Sequence, residues 1–302
     1  MSLSEWVSPI LSSSISIIGT NAESACRLPG DATSPSKLWD LLLHERSGRS
    51  DVPPSRFNVD AFYDVRGGSR PGSMNMTGGY FLPADHDIRA FENDFFGINN
   101  MEALYMDPQQ RKLLEVVYEC LESAGVPLFQ ASDANIGCYV GNFTVDFQMM
   151  QLRDSEYLHR YSATGLSTAI LGNRISHALN LKGPSLVLDT ACSSSLYGLH
   201  VATSALRQGE CDAAIVAGAN LIQSPEQHLL TMKAGVLSPT STFHIFATNA
   251  DGYARADGIG ALYLKRLRAA QRDGDPIRAI IRGSAVNAYV VLYHKLDNLE
   301  TD

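Results

Sequence analysis

The segment between residues 136 and 220 alternates short apolar runs with stretches of helical spacing, and few folds accommodate this pattern. The apolar runs are short enough for buried strands, and the stretches between them repeat apolar residues every three or four positions. In chain order, the predicted strands and intervening helices are 136–141, 163–180, 186–189, 193–208 and 213–218. Such alternation indicates βαβ units with helices on both faces of a sheet, so we predict an α/β sandwich.

Further elements flank this core on both sides. The segment 107–125 is predicted to be a helix, because Asp107 can cap it, Pro108 suits its first turn and Gly125 ends it. The segment 66–79 is rich in turn-forming residues and is predicted to be an exposed loop. The other predicted elements are strands at 15–18, 259–267 and 277–286 and helices that begin near Pro35 and Pro225.

Composition and charge exclude several functional classes. Hydrophobic residues make up 45% and charged residues 19% of the chain, as in globular proteins. The 24 Lys+Arg against 32 Asp+Glu give a net charge of −8 without a basic cluster, which argues against nucleic-acid binding. No apolar run reaches the ~20 residues that span a bilayer, and no Lys or Arg precedes Arg27 to start a signal peptide. We expect a cytoplasmic protein that binds neither nucleic acid nor membranes.

The five cysteines are odd in number and widely spaced, which fits neither a disulfide framework nor a zinc site. They are Cys26, Cys120, Cys138, Cys192 and Cys211. We expect reduced thiols that are mostly buried as small hydrophobic side chains. Neither a metal site nor a directly bound cofactor is predicted.

Cys192 differs from the others because it lies where a predicted strand turns directly into the predicted helix 193–208. The amides and dipole at a helix N-terminus stabilise an anion, which favours a reactive thiolate. The amides of this turn, that of Cys192 included, could also bind a developing oxyanion, and the three serines that follow could cap the helix. The same pattern also fits a buried structural cysteine beside an ordinary serine cap.

The residues of this junction, DTACSSSL at 189–196, resemble the active-site signature of β-ketoacyl synthases, the condensing enzymes of fatty acid and polyketide synthesis. The similarity is greatest to ketosynthase domains of fungal, iterative, reducing polyketide synthases, and it covers about residues 15–287. The other segments that resemble the family, in the same order, are 26–42, 54–63, 107–125, 183–196 and 249–267.

The resemblance implies a thiolase-like α/β/α sandwich, usually dimeric, and an acyltransferase activity. Cys192 then accepts an acyl chain from the phosphopantetheine thioester of an acyl carrier protein. A decarboxylated malonyl unit attacks this acyl-enzyme and gives a β-ketoacyl thioester. The implied partners are the carrier protein and either a second copy of the chain or other synthase domains.

The sequence also departs from the family pattern. The family's two histidine motifs, EAHGTGT-like and GH, are missing, and the pattern stops after Asn287. We therefore predict a leader at 1–14, a ketosynthase domain at 15–287 and a divergent tail at 288–302. The C-terminal half of the fold is expected to be incomplete or missing, so the chain alone is expected to be inactive or impaired. The alternative is a non-catalytic remnant or interaction module that docks with a synthase or carrier protein.

Overall fold

The computed structural model of this protein describes residues 14–18, 26–66 and 70–288. The predicted leader and tail, 1–14 and 288–302, lie almost entirely outside these ranges. The strands are β1 (Ile15–Ile18), β2 (Cys26–Arg27), β3 (Arg49–Asp51), β4 (Gly78–Tyr80), β5 (Ile136–Gly141), β6 (Ser185–Leu188), β7 (Ala213–Asn220), β8 (Gly258–Arg266) and β9 (Ile277–Ile281).

Helices connect and cover these strands, and two short 3₁₀ turns at Val59–Ala61 and Ser155–Tyr157 accompany them. No helix of the described ranges is long and apolar enough to cross a lipid bilayer. The helices are α1 (Pro35–Leu43), α2 (Asn100–Tyr105), α3 (Pro108–Ala124), α4 (Leu128–Ala131), α5 (Asp146–Gln151), α6 (Ser162–Leu166), α7 (Ile170–Ala178), α8 (Ser194–Gln208), α9 (Pro225–Lys233) and α10 (Leu267–Asp273).

Seven strands form one mixed sheet. Six of them follow the order β6-β5-β7-β8-β1-β9, and the seventh, β2, pairs with residues of β8 that β1 does not reach. Strand β5 runs parallel to both β6 and β7, whereas β8, β1 and β9 are antiparallel to their neighbours. Gly141 at the end of β5 lies opposite Leu188 of β6 on one side and Gly218 of β7 on the other. The carboxyl ends of three parallel strands therefore meet at one edge of the sheet, where ligands of α/β proteins commonly bind.

Alternate residues of the central strands enter two apolar clusters on opposite faces of the sheet. In β7, Ala213 and Ile215 join the cluster that contains residues of α3 and α7, whereas Ala214 and Val216 join the cluster that contains residues of α8. Burial on both faces explains why this strand is a continuous apolar run in the sequence. The predicted α/β layering is confirmed.

The predicted helix 163–180 is two helices in the structure, α6 and α7. The carbonyl of Gly165 accepts hydrogen bonds from the Asp107 N–H (3.0 Å) and from Gln110 Nε2 (3.0 Å). A carbonyl engaged with α3 in this way cannot continue the helical ladder, and the backbone becomes extended at Ser167. Gly165 also approaches Tyr105 so closely that a Cβ would lie 2.7 Å from its carbonyl carbon.

The prediction of an exposed loop at 66–79 is wrong for its second half. Met74 and Met76 are buried in a small apolar cluster with Leu237, against which Phe57 and Phe62 pack. The turn-forming residues of this segment identified its turns, but they gave no sign of the apolar contacts that it makes with distant residues.

Candidate active site

Cys192 lies in a tight turn between β6 and α8, and its side chain is exposed. The helix begins at Ser194 with Ser193 as its cap residue, so Cys192 lies one residue outside the helix cap. The sequence placed Cys192 at or just inside the helix N-terminus, whereas the structure places it just before the cap residue. The expected junction of strand and helix is confirmed.

Backbone strain and side-chain hydrogen bonds shape this turn. Ala191 has a φ of 56°, in the left-handed region that a residue with a side chain adopts at a cost. Asp189 Oδ1 accepts a hydrogen bond from the Ala191 N–H (2.9 Å). Ser194 Oγ accepts one from the Thr190 N–H (2.9 Å) and donates one to the Ala191 carbonyl (2.6 Å). These bonds hold the strained residue that presents the Cys192 side chain to solvent.

The serines after Cys192 do not have the capping role that the sequence suggested. Ser193 occupies the cap position without a side-chain capping bond, and its hydroxyl donates to the Thr190 carbonyl at 2.8 Å. The serine hydroxyls of Ser193 and Ser194 therefore fold the turn itself.

Two glycines at the strand ends let α8 approach the sheet. A Cβ on Gly141 would lie 2.7 Å from the Ser194 carbonyl carbon and 2.7 Å from the Ser195 Cα. A Cβ on Gly218 would lie against the Ser195 hydroxyl. Both glycines line the same cavity as Cys192. The position of the Cys192 turn therefore requires glycine, which has no side chain, at both 141 and 218.

The other four thiols are more buried than that of Cys192. Burial raises the pKa of Cys120 and of Cys138 to about 12. Burial also raises the pKa of Cys26 and of Cys211 above the usual value for a thiol. These four cysteines are therefore protonated at neutral pH and poor nucleophiles, as expected for structural thiols.

An open cavity of about 390 Å³ adjoins Cys192, between the start of α8 and the ends of β5, β7 and β8. Its wall is mainly apolar, with the side chains of Leu28, Phe143, Leu196, Leu199, Val216 and Leu262. Asn142 and Asn220 add polar groups to this wall. An apolar space beside an exposed thiol can hold an acyl chain attached to the sulfur.

Buried side-chain amides support the polar part of this wall. Asn142 Nδ2 donates to Gln109 Oε1 (3.0 Å) and to the Ala219 carbonyl (2.9 Å). Thr144 Oγ1 donates to Asn220 Oδ1 (2.8 Å), and Gln109 Oε1 lies 3.3 Å from the same hydroxyl oxygen. The first turn of α3, where Gln109 lies, thus fixes the side chains at the ends of β5 and β7.

None of the histidines within the described ranges lines the Cys192 cavity. His200 lies further along α8, and its Nδ1 is 3.1 Å from Ser284 Oγ. His294 lies outside the described residues. The structure therefore brings no imidazole to the thiol within the part of the chain that it describes.

The sequence pattern indicates Cys192 but not several of the residues that build its surroundings. Gly141 and Gly218 each occur near the end of an apolar run, and this repetition was an available signal. The left-handed backbone of Ala191 and the contact between Asn142 and Gln109 had no such signal in the sequence.

Comparisons with known proteins identify the family of this chain. The family profile "Beta-ketoacyl synthase, N-terminal domain" matches residues 12–270. Highly reducing polyketide synthase srdA of Neurospora crassa is 68% identical over 274 residues, which are 91% of this chain and 11% of that protein. Highly reducing polyketide synthase 19 of Pyricularia oryzae is 64% identical over 91% of this chain and 10% of that protein.

Solved structures give the same result. The ketosynthase from module 6 of the bacillaene synthase of Bacillus subtilis superposes with a TM-score of 0.76 and 36% identity, over 89% of this chain and 42% of that chain. An oxazolomycin ketosynthase domain of Streptomyces albus gives a TM-score of 0.78 and 34% identity, over 87% of this chain and 45% of that one. The thiolase-like fold is thus confirmed, and the chain spans less than half of these solved domains. The protein belongs to the β-ketoacyl synthase family.

Proposed function

We propose that this chain provides the acyl-accepting part of a ketosynthase in a reducing polyketide synthase, with Cys192 as its nucleophile. The Cys192 thiolate attacks the carbonyl of an acyl thioester and forms a tetrahedral oxyanion, which the backbone N–H of Cys192 helps to stabilise. Collapse of this intermediate expels the carrier thiolate, which takes up a proton, and leaves the acyl chain on Sγ.

The observation that carries this proposal is the position of Cys192. Its side chain is exposed in a strained turn and lines an apolar cavity, whereas the other four thiols are more buried. Strained backbone held by surrounding hydrogen bonds is typical of functional sites. Membership of the β-ketoacyl synthase family makes acyl transfer the chemistry that these features fit best.

We propose that the acyl donor is the phosphopantetheine thioester of an acyl carrier protein, which acts as substrate carrier and not as a bound cofactor. Condensation with a decarboxylated malonyl unit then follows at the same sulfur. That step needs groups that stabilise developing charge and move protons, and the described residues bring no histidine to the cavity. We therefore expect this chain alone to perform acylation much better than condensation. We place this chemistry in the cytoplasm, where thiols remain reduced.

Acylation is tested by incubating the protein with hexanoyl-N-acetylcysteamine and measuring its intact mass. We expect one hexanoyl group per chain, and peptide mapping should locate it on Cys192. Protein treated with hexanoic acid in place of the thioester serves as the control, because the free acid has no thiolate leaving group. An unchanged mass, or an adduct on any of the other four cysteines, would contradict the proposal.

A second candidate, an interaction module without catalysis, rests on the apolar side chains that are exposed at the open cavity. Leu196 is 68% exposed and Phe143 is 36% exposed, and both line this cavity. Exposed apolar side chains that cluster at one surface often mark an association surface. A protein that takes up no acyl group yet binds an acyl carrier protein in sedimentation experiments would favour this candidate over acyl transfer.

We further propose that two copies of the chain pair through β6. This strand is one edge of the sheet, and Leu186 within it is 46% exposed. Unpaired backbone groups and apolar side chains on a sheet edge favour pairing with another strand. Leu152 and Leu158, which lie in the segment between β5 and β6, are also exposed.

Leu186→Lys is expected to weaken this dimer by at least about tenfold in Kd, because a charge on an edge strand opposes edge-to-edge pairing. Sedimentation equilibrium measures the effect. Ile280→Lys, on the opposite edge strand β9, is the matched control, because Ile280 is exposed to a similar degree. A wild-type monomer at all concentrations, or an equal effect of both substitutions, would argue against pairing through β6.

A further inference from the structure

A second open cavity, of about 640 Å³, shares no lining residue with the Cys192 cavity within the described part of the chain. It is bounded by the segments that follow β3 and β4, by the first turn of α3 and by α5. Much of its wall is apolar, with the side chains of Leu82, Ile88, Leu104, Phe147 and Met150. Arginine, histidine and glutamine side chains form much of the rest. One ligand can therefore place an apolar chain and a polar group in this cavity.

Positive charge predominates in this wall. Three arginines line it, Arg56, Arg89 and Arg111, whereas Asp87 is its one carboxylate among the described residues. Arg89 Nε lies 3.2 Å from Asp87 Oδ1, and Arg56 Nη2 lies 2.8 Å from Asp257 Oδ2. Two of the three arginines thus have a counter-ion within the protein.

Arg111 is a buried cation without such an ion pair. The residue is 8% exposed, and its guanidinium donates to the carbonyls of Arg89 (2.8 Å), Leu104 (3.2 Å) and Met106 (2.6 Å). These carbonyls satisfy its hydrogen bonds without neutralising its charge, and no carboxylate of the described residues is within ion-pair distance of it. Burial lowers the pKa of Arg111, and nearby carboxylates oppose this effect only in part. A buried charge of this kind favours an anion beside it.

Arg56 and Gln151 also provide hydrogen-bond donors at this wall. Arg56 donates through Nη1 to the Ile222 carbonyl (2.7 Å) and through Nη2 to Asp257 (2.8 Å). Its Nε has no partner among the described residues and is not fully buried. The side-chain amide of Gln151, at the end of α5, is likewise accessible and without a described partner. Both groups can therefore donate to a ligand.

The surroundings of His86, which also lines the cavity, show the same excess of positive charge. Burial lowers the pKa of its imidazole, and Lys112, Arg27 and Arg56 lower it further, whereas Asp85 raises it. His86 is therefore neutral at pH 7. The cations that act on it also attract an anion to this part of the wall.

We propose that this cavity binds a carboxylate that carries an apolar chain. The carboxylate binds on the side of Arg56 and Arg111, and the chain contacts the apolar part of the wall. An apolar chain distinguishes such a ligand from a small inorganic anion, which the polar part of the wall alone could hold. This inference is independent of the proposed acylation of Cys192, because the two cavities have no residue in common.

The test compares hexanoate with hexanamide, which has the same shape without the charge, by isothermal titration calorimetry at pH 7. We expect the wild-type protein to bind hexanoate at least about tenfold more tightly, as a charge-assisted hydrogen bond provides. The Cys192 cavity has neither Lys nor Arg among its described lining residues, so it does not explain such a preference. Equal affinities, or no binding of hexanoate at millimolar concentration, would overturn the inference.

Gln151→Glu places a carboxylate in the wall at unchanged side-chain size. It is expected to weaken hexanoate binding by at least about tenfold through charge repulsion and to leave hexanamide binding unchanged. Gln148→Glu is the matched control, because Gln148 lies on the same helix α5 outside this cavity, and a more distant, screened charge should change the affinity by less than about twofold. Circular dichroism confirms that both variants are folded. An equal loss of hexanoate binding in both variants would also overturn the inference.

Discussion

Cys192→Ser is expected to reduce the rate of acylation by at least about 1,000-fold, because an unactivated hydroxyl is a far weaker nucleophile than a thiolate. Serine is only slightly smaller than cysteine and the side chain is exposed, so the turn before α8 should stay folded. Intact mass after incubation with hexanoyl-N-acetylcysteamine, followed over time, measures the loss.

The matched control for this experiment is Cys26→Ser. Cys26 is half-buried, with a pKa that burial raises, and it is more accessible than the buried thiols of Cys120, Cys138 and Cys211. We expect Cys26→Ser to be acylated at the wild-type rate. If the adduct persists in Cys192→Ser and disappears in Cys26→Ser, the nucleophile has been assigned to the wrong residue.

Gly141→Ala is expected to lower the free energy of unfolding by about 3 kcal/mol or more, as overpacking against rigid backbone does. The added Cβ would lie 2.7 Å from the Ser194 carbonyl carbon, and the atoms it meets belong to the backbone of α8. The helix start must therefore move away from the sheet, together with the Cys192 turn. We expect slower acylation as well as a lower denaturation midpoint in urea, measured by circular dichroism.

Gly283→Ala provides the comparison for Gly141→Ala. A Cβ on Gly283 would meet no atom within 4 Å apart from those of its two chain neighbours, and the backbone there is not left-handed, so alanine should leave the midpoint nearly unchanged. Equal midpoints for wild type and Gly141→Ala would show that α8 does not need the close approach at this strand end.

The sequence predicted those parts of the fold whose burial is visible as a local pattern of apolar residues. Strands β5 and β7 are buried on both faces and are therefore visible as continuous apolar runs. The split between α6 and α7 was missed because a distant contact causes it, the hydrogen bonds from α3 to the Gly165 carbonyl. Tertiary contacts of this kind override helical periodicity and leave no local signal.

Of the site, the sequence predicted Cys192 and its place at the junction of a strand and a helix. Cys192 was recognisable because strand, cysteine and helix are adjacent in the sequence. Gln109, Asn142 and Ala219, in contrast, meet only when α3 and the ends of two strands come together. In the sequence, Gln109 looks like an ordinary polar residue on the surface of a helix. Its role in orienting Asn142 is visible only in the three-dimensional structure.

The pairing of β1 has a consequence for the order in which the chain folds. Ile15 pairs with Arg266 of β8 on one side and with Ile281 of β9 on the other. Strands β5, β6 and β7 and helix α8 arise from neighbouring segments and can assemble soon after synthesis, whereas β1 waits for partners almost a whole chain length away. Contacts of such long range slow folding, since the loop must close before any pairing compensates its entropy. Strand β1, which leaves the ribosome before the other described strands, is thus among the last of them to enter the sheet.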